Sequence, residues 1–225
     1  MWSRKLIMSY NKRTVPSVKE WVIKLPFIFD IDKLIEAWDY VSDTNNFDHD
    51  GFIDGQLGLV TSELEYEGKN DWYECTGSMR HLYRDKGKRL LEEKDFIVFN
   101  PLLEDTYFYY VYNELSTMYD IGRMRLMNFP SRMCLSWHED LNERIHVPII
   151  TNSGCHLVIE NNVYHLPADG SSYIADVTPP HTAFNGGWDN RYNLLLDVLG
   201  YKDGAISPLY GKDRNQLNRG AWGQI

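Results

Sequence analysis

The chain has 225 residues, 43% of them hydrophobic and 14% aromatic. That suits one generous domain with a sizeable core and excludes compositional disorder. A formal net charge of −9 argues against a nucleic-acid backbone as the main partner.

The acidity is uneven. Residues 1–120 carry 14 Lys/Arg against 22 Asp/Glu, and residues 121–225 carry 9 against 10. We read the first excess as a solvated acidic face. The N-terminal MWSRKLIMSYNKR has no apolar stretch long enough for a signal peptide. No apolar run reaches the roughly 18 residues of a membrane span, so no membrane partner is expected. Three cysteines, Cys75, Cys134 and Cys155, show no CxxC spacing. They fit neither a disulfide framework nor a thiolate zinc site, which predicts a reducing cytoplasmic setting. Cys134 and Cys155 read as small core residues.

In chain order, the first predicted helix has Ile31, Leu34, Ile35, Trp38 and Val41 on one face, with Asp30 placed to cap it. Asn46 to Asp54 (NFDHDGFID) partly matches a calcium loop. Leu57 stands where the closing glutamate belongs, so it is read as an acidic loop. GQLGLVTS (55–62) and the stretch from Trp72 to Arg84 fit either a lid over a barrel mouth or a plain β-hairpin on its edge. A second helix is predicted after Asn100-Pro101, with Leu103, Tyr107, Tyr110, Val111, Leu115 and Met118 as apolar positions and Gly122 as its stop. From Arg123 the pattern turns to short strands: RMRLMNF, RIHVPIIT, CHLVIE, NVYHL, SSYIADV and RYNLLLDVL. Such spacing predicts an all-β sandwich or barrel. In the last strand Arg191, Asn193, Leu195 and Asp197 share one face, and Tyr192, Leu194, Leu196 and Val198 the other. One side should pack; the other should line a polar cavity or meet water. The tail after Gly200 is polar and loop-like.

His138-Glu139-Asp140 sets an imidazole and a carboxylate two residues apart, on one side of an extended chain. His181 follows 41 residues later. Two imidazoles and one carboxylate on one face of a metal leave three positions open, which iron(II) needs to take a bidentate keto acid and O2. Arg191 lies on an inward strand face, and a buried guanidinium needs an anion such as the carboxylate of 2-oxoglutarate. Arg144 and His146 share one strand face and offer two further donors to the co-substrate. Asp176 and Asp197 are expected to orient the ligands or Arg191. His156 and His165 read as core histidines. Trp137, Phe184 and Trp188 could shape a substrate pocket, but core is at least as good a reading.

The motifs RMRLMNFP, WHED, RIHVPIITN, HTAFN and the Arg191 to Asp197 strand occur in an order and spacing that resembles the aspartyl/asparaginyl β-hydroxylase family of Fe(II)/2-oxoglutarate oxygenases, with its proline-hydroxylase-like relatives. The resemblance covers about Arg123 to Gly200. It implies a mainly β, cupin-like double-stranded β-helix (jelly roll) with flanking N-terminal helices. The whole of 1–225 would be one oxygenase domain: N-terminal helices with supporting strands and loops (1–120), a catalytic core (121–200) and a polar tail (201–225). It implies iron(II) held by His138, Asp140 and His181. Arg191 would anchor the distal 2-oxoglutarate carboxylate, with Arg144 and His146 as further contacts. The implied activity is hydroxylation of an amino-acid side chain of Asp, Asn or Pro type, free or in a short peptide, with O2 consumed and 2-oxoglutarate decarboxylated to succinate. Two departures stand out. Asp140 is absent from the animal peptidyl-aspartate enzymes, and their co-substrate serine near Leu126 is missing here, where Arg123, Arg125 or Asn128 would have to compensate. The competing readings are a non-catalytic cupin-like barrel binding 2-oxoglutarate or a related acid, and a zinc hydrolase on a related barrel. The first needs no intact ligand triad, and the second needs no Arg191.

Overall fold

The computed structural model describes residues 20–43, 56–62, 92–202 and 207–209. Its longest strands show how the fold is built. β5 (Tyr119–Phe129) and β12 (Arg191–Tyr201) pair antiparallel along their length, with Arg191 opposite Phe129 and Leu195 opposite Arg125. Alternation then sorts their side chains. Met124, Leu126, Leu194, Leu196 and Val198 join the main hydrophobic core. Met127, Phe129, Arg191, Asn193 and Leu195 line a cavity on the opposite face.

Around this pair a six-stranded antiparallel sheet forms in the order β1-β10-β7-β12-β5-β2. It uses β1 (Val22–Ile28), β2 (Gln56–Gly58), β7 (Arg144–Ile150) and β10 (Ser171–Ala175). A four-stranded sheet runs β6-β11-β8-β9, from β6 (Met133–Cys134), β8 (Cys155–Ile159), β9 (Asn162–Tyr164) and β11 (His181–Asn185). Residues of both sheets line the one cavity, so the two sheets face each other as the walls of a jelly roll. A separate hairpin pairs β3 (Val60–Ser62) with β4 (Phe96–Phe99).

The chief core lies outside the barrel, between the large sheet and two helices, α1 (Ile31–Asp43) and α2 (Tyr107–Ser116). Leu34, Trp38 and Val41 come from α1, and Phe108, Val111 and Leu115 from α2. Asp30 caps α1 as its sequence predicts, accepting from the backbone N–H of Asp32 (3.1 Å) and Lys33 (3.3 Å). Asn100 and Pro101 instead start a short 3-10 turn, Pro101–Leu103, and α2 begins four residues later, behind Thr106. Gly122 is no helix stop. It sits inside β5, where a side chain would meet the Glu93 carbonyl at 2.8 Å.

β1 and β2 show that the first 120 residues also supply sheet edges. β1 carries Pro26, which an edge strand tolerates, and its register with β10 shifts between Lys24 and Ile28. Gly170 (φ 82°) turns the chain into β10, where a side chain would strike the Phe29 carbonyl. Of the segments with two readings, the described part of the first, 56–62, is no lid. Leu57, Leu59 and Val60 are fully buried, and β2 hydrogen-bonds to β5. Trp72 to Arg84, Cys75 and the Asn46 to Asp54 loop lie outside the described residues. Among the described residues no helix is long and apolar enough to cross a membrane.

Candidate metal centre and co-substrate cavity

His138 lies just beyond β6 and His181 opens β11. A two-way backbone bridge joins them: His138 N–H to the His181 carbonyl (3.0 Å) and His181 N–H to the His138 carbonyl (2.9 Å). The bridge fixes the two imidazoles side by side, with ring centroids 4.2 Å apart. Asp140 is held two residues on, its N–H donating to the Val177 carbonyl at 3.0 Å. Asp140 Oδ2 then stands 3.2 Å from His181 Nε2 and 3.9 Å from His138 Nε2. One ligand atom from each of the three lies within 4.8 Å of the others.

The other ring nitrogens are occupied. His138 Nδ1 donates to the Ser136 carbonyl (2.8 Å) and His181 Nδ1 to the Pro179 carbonyl (3.1 Å). With each Nδ1 carrying the proton, both Nε2 lone pairs face the common point, as a metal-binding imidazole requires. Asp176 braces the turn before His181 by accepting from the Thr178 N–H (3.2 Å) and hydroxyl (2.6 Å). Burial pushes the Asp140 carboxyl up, but the adjoining His181 and the charge of Arg144 outweigh it and hold the group below the usual carboxylate range. It is an anion, so the donor set of two imidazoles and one carboxylate fits a divalent iron.

Beside this point the cavity encloses about 590 Å³, counting its open mouth. Its walls are mostly apolar, from Met127, Phe129, Leu135, Leu157, Val177, Ala183 and Leu195. Two buried donors face into it. Arg191 is only 7% exposed, forms no ion pair among the described residues, and its Nε has no hydrogen-bond partner. His146 accepts from Asn193 Nδ2 at Nδ1 (3.2 Å), which leaves the proton of the neutral ring on an unpartnered Nε2. Burial first, then the charges of Arg191 and Arg144, keeps His146 well below its ordinary pKa, so it stays neutral. Burial likewise lowers the proton affinity of Arg191.

Arg144, expected as a co-substrate contact, lines the cavity and is also held by two carboxylates. Nη1 lies 2.6 Å from Asp140 Oδ2, and Nε donates to Asp197 Oδ1 at 2.9 Å. Asp197 therefore serves Arg144 and not Arg191. Arg123 Nε (3.9 Å) and Arg125 Nη2 (3.7 Å) also approach it. Neither arginine lines the cavity, and neither does Asn128. Nor do the aromatics singled out. Trp137 and Trp188 are exposed, with Arg132 stacked 3.4 Å over Trp188, and Phe184 stacks on His156. His156 is half-buried and His165 exposed, so they are not core histidines. Cys155 is buried as expected, but Cys134 is exposed.

Glu93 completes the charged cluster, 3.5 Å from Arg123 Nη2. Sequence reasoning missed it because it lies in a 3-10 turn far along the chain from the motif. Burial, then the neighbouring Asp197 carboxylate, pushes it from 4.5 up to about 7. Ionising it therefore opposes folding. The stability it permits is complete below pH 4.5 and is lost as pH rises through 7. Glu93→Gln should raise the melting temperature at pH 8, by at most on the order of 3 kcal/mol in stability, and converge with the parent near pH 4.5. Thermal scans at the two pH values check this. An equal gap at both would show that Glu93 is not the titrating group.

Residues 108–200 match the family described as aspartyl/asparaginyl beta-hydroxylase, and all six expected site residues fall inside that span. A search of curated proteins gave no match. Among solved structures, EctD from S. alaskensis with 2-oxoglutarate and 5-hydroxyectoine is similar at 14% identity, over 79% of this chain and 71% of that one, with TM-score 0.44. A 2OG-Fe(II) oxygenase family oxidoreductase from Burkholderia pseudomallei is similar at 16% identity, over 36% of this chain and 44% of that one, with TM-score 0.32. A cupin domain from Bordetella pertussis is similar at 17%, over 35% and 82%, with TM-score 0.31. The match thus spans less than half of the Burkholderia protein. Over residues 108–200, then, the chain matches the aspartyl/asparaginyl β-hydroxylase family that its motifs resemble.

Proposed function

We propose that this protein is an iron(II)- and 2-oxoglutarate-dependent dioxygenase that hydroxylates an amino-acid side chain of Asp, Asn or Pro type, free or in a short peptide. The observation that carries the reading is the pairing of a preformed His138–Asp140–His181 ligand set with a cavity holding two unpartnered buried donors, Arg191 Nε and His146 Nε2.

Each residue has a definable task. His138, Asp140 and His181 would hold the metal on one face and leave the cavity side open. Arg191 would take the distal carboxylate of the keto acid, since a guanidinium without a counter-ion in an apolar wall is costly until an anion arrives. Neutral His146 would donate from Nε2 to a second oxygen of the same molecule. Iron(II) and 2-oxoglutarate, when bound, supply the oxidising power, with O2 consumed and succinate formed. The apolar walls exclude water and restrict which C–H bond reaches the centre. The acid-rich composition supports a small-molecule or short-peptide substrate over nucleic acid or a membrane. The free thiols support a reducing, cytoplasmic setting.

The test is stimulated turnover. Purified protein with iron(II), ascorbate and 2-oxoglutarate should release succinate faster when the right free amino acid, or Asp-, Asn- or Pro-containing peptide, is present. The product should gain one oxygen by mass. Tight 2-oxoglutarate binding with no succinate under any substrate would instead support a non-catalytic binding barrel. Stimulation only by a nucleobase, lipid or sugar would overturn the substrate class and leave the chemistry standing.

A further inference from the structure

We propose that Asp197 is a positioning residue for the metal-facing carboxylate, acting through Arg144 and never touching metal or co-substrate itself. The inference rests on the proposed metal site and adds to it a residue 57 positions from Asp140 in sequence. Asp197 is 2% exposed and stands on β12, directly opposite Arg144 on β7. Cross-strand pairing sets the distance, and the 2.9 Å bond from Arg144 Nε to Asp197 Oδ1 sets the tilt of the guanidinium plane. The far edge of the same plane then reaches Asp140, with Nη1 2.6 Å from Oδ2. A guanidinium is rigid and planar, so holding one edge aims the other.

Asp197 is itself held by cations on β5, Arg125 Nη2 at 3.7 Å and Arg123 Nε at 3.9 Å. The relay therefore runs from β5 through β12 and β7 to the loop that carries Asp140. It has a second consequence. Arg144 reaches the cavity wall with Nε and Nη1 already engaged by carboxylates, whereas Arg191 Nε and His146 Nε2 face the same cavity without partners. Cutting the relay should loosen Asp140 and release Arg144 together.

The experiment compares Asp197→Asn with the parent, using anaerobic titration with iron(II) alone and, separately, the KM for 2-oxoglutarate at saturating iron. We expect iron affinity to fall 10- to 100-fold, the usual cost of losing a partner that orients a ligand. The KM should change less than about threefold, because Arg191 and His146 are untouched. Unchanged iron affinity in a folded Asp197→Asn variant overturns the relay. A parallel fall in iron affinity and rise in KM overturns it too, because general loosening of the barrel produces that pattern. If Asp197→Asn does not fold, Arg144→Lys decides: it keeps the charge but cannot span both carboxylates, so iron affinity must fall, and parent-like affinity overturns the proposal. A parent chain that binds no iron at all would overturn the metal site instead, and the two failures are distinguishable.

Discussion

His138→Ala/His181→Ala should bind no measurable iron(II) and produce no succinate above background, while keeping the fold. Removal of partners that merely orient ligands costs 10- to 100-fold in metal affinity, so removing two of three ligands should cost well over ~100-fold. Folding should survive because neither ring belongs to the main hydrophobic core. The main core lies on the far side of the large sheet, among Leu34, Phe108, Leu126 and Leu196. The His138–His181 bridge is made by backbone groups that alanine retains. Circular dichroism and calorimetric iron titration read the two halves separately. Full iron occupancy in the folded double variant would remove the metal assignment, and loss of fold would show that the imidazoles are structural. Either single variant should already abolish stable binding, since the two remaining ligands no longer close a face of the metal.

The pairing of His138 with Asp140 in the candidate metal centre was legible because it is written in a short spacing. An imidazole and carboxylate at i and i+2 on an extended chain must point the same way, whatever the fold. The two faces of β12 were legible for the same reason, since strict alternation placed Arg191, Asn193 and Leu195 on the cavity side and Leu194 and Leu196 in the core. Partnership was not legible. Arg144, Asp197, Arg123, Arg125 and Glu93 meet only because β5, β12 and β7 are neighbours in the sheet, and neighbour order is a long-range property. So the sequence offered Arg144 as a donor without showing its carboxylate partners, and left open whether Asp197 orients the ligands or Arg191. β1 escaped notice because Pro26 interrupts its alternation, and a proline inside a strand pattern argues for an edge only once the sheet is known. The Asn100-Pro101 pair misled by its quality as a helix start. It caps a turn that stops at Leu103, and α2 begins afresh at Tyr107.

Arg191→Lys and Arg191→Ala should separate co-substrate binding from metal binding. Arg191 is 7% exposed and unpaired at Nε in a largely apolar cavity, on the strand face that also presents Asn193 and Leu195. A buried cation in that position costs stability until an anion pairs with it. Lysine keeps the charge but loses the planar fork, so one directed bond to the carboxylate goes. We expect the KM for 2-oxoglutarate to rise about 10-fold for lysine, one charge-assisted hydrogen bond of roughly 1.5 kcal/mol. For alanine the rise should be on the order of 100- to 5,000-fold, in line with the roughly 3–5 kcal/mol cost of breaking a buried ion pair. Iron affinity should stay within about threefold of the parent in both, because none of His138, Asp140 and His181 is bonded to Arg191. The free protein should respond in the opposite direction. Arg191→Ala removes an uncompensated buried charge, so without ligand its melting temperature should equal or exceed the parent's. Adding 2-oxoglutarate with iron(II) should stabilise the parent and leave the alanine variant nearly unmoved. Equal thermal shifts in the two proteins would mean that the distal carboxylate is held elsewhere in the cavity.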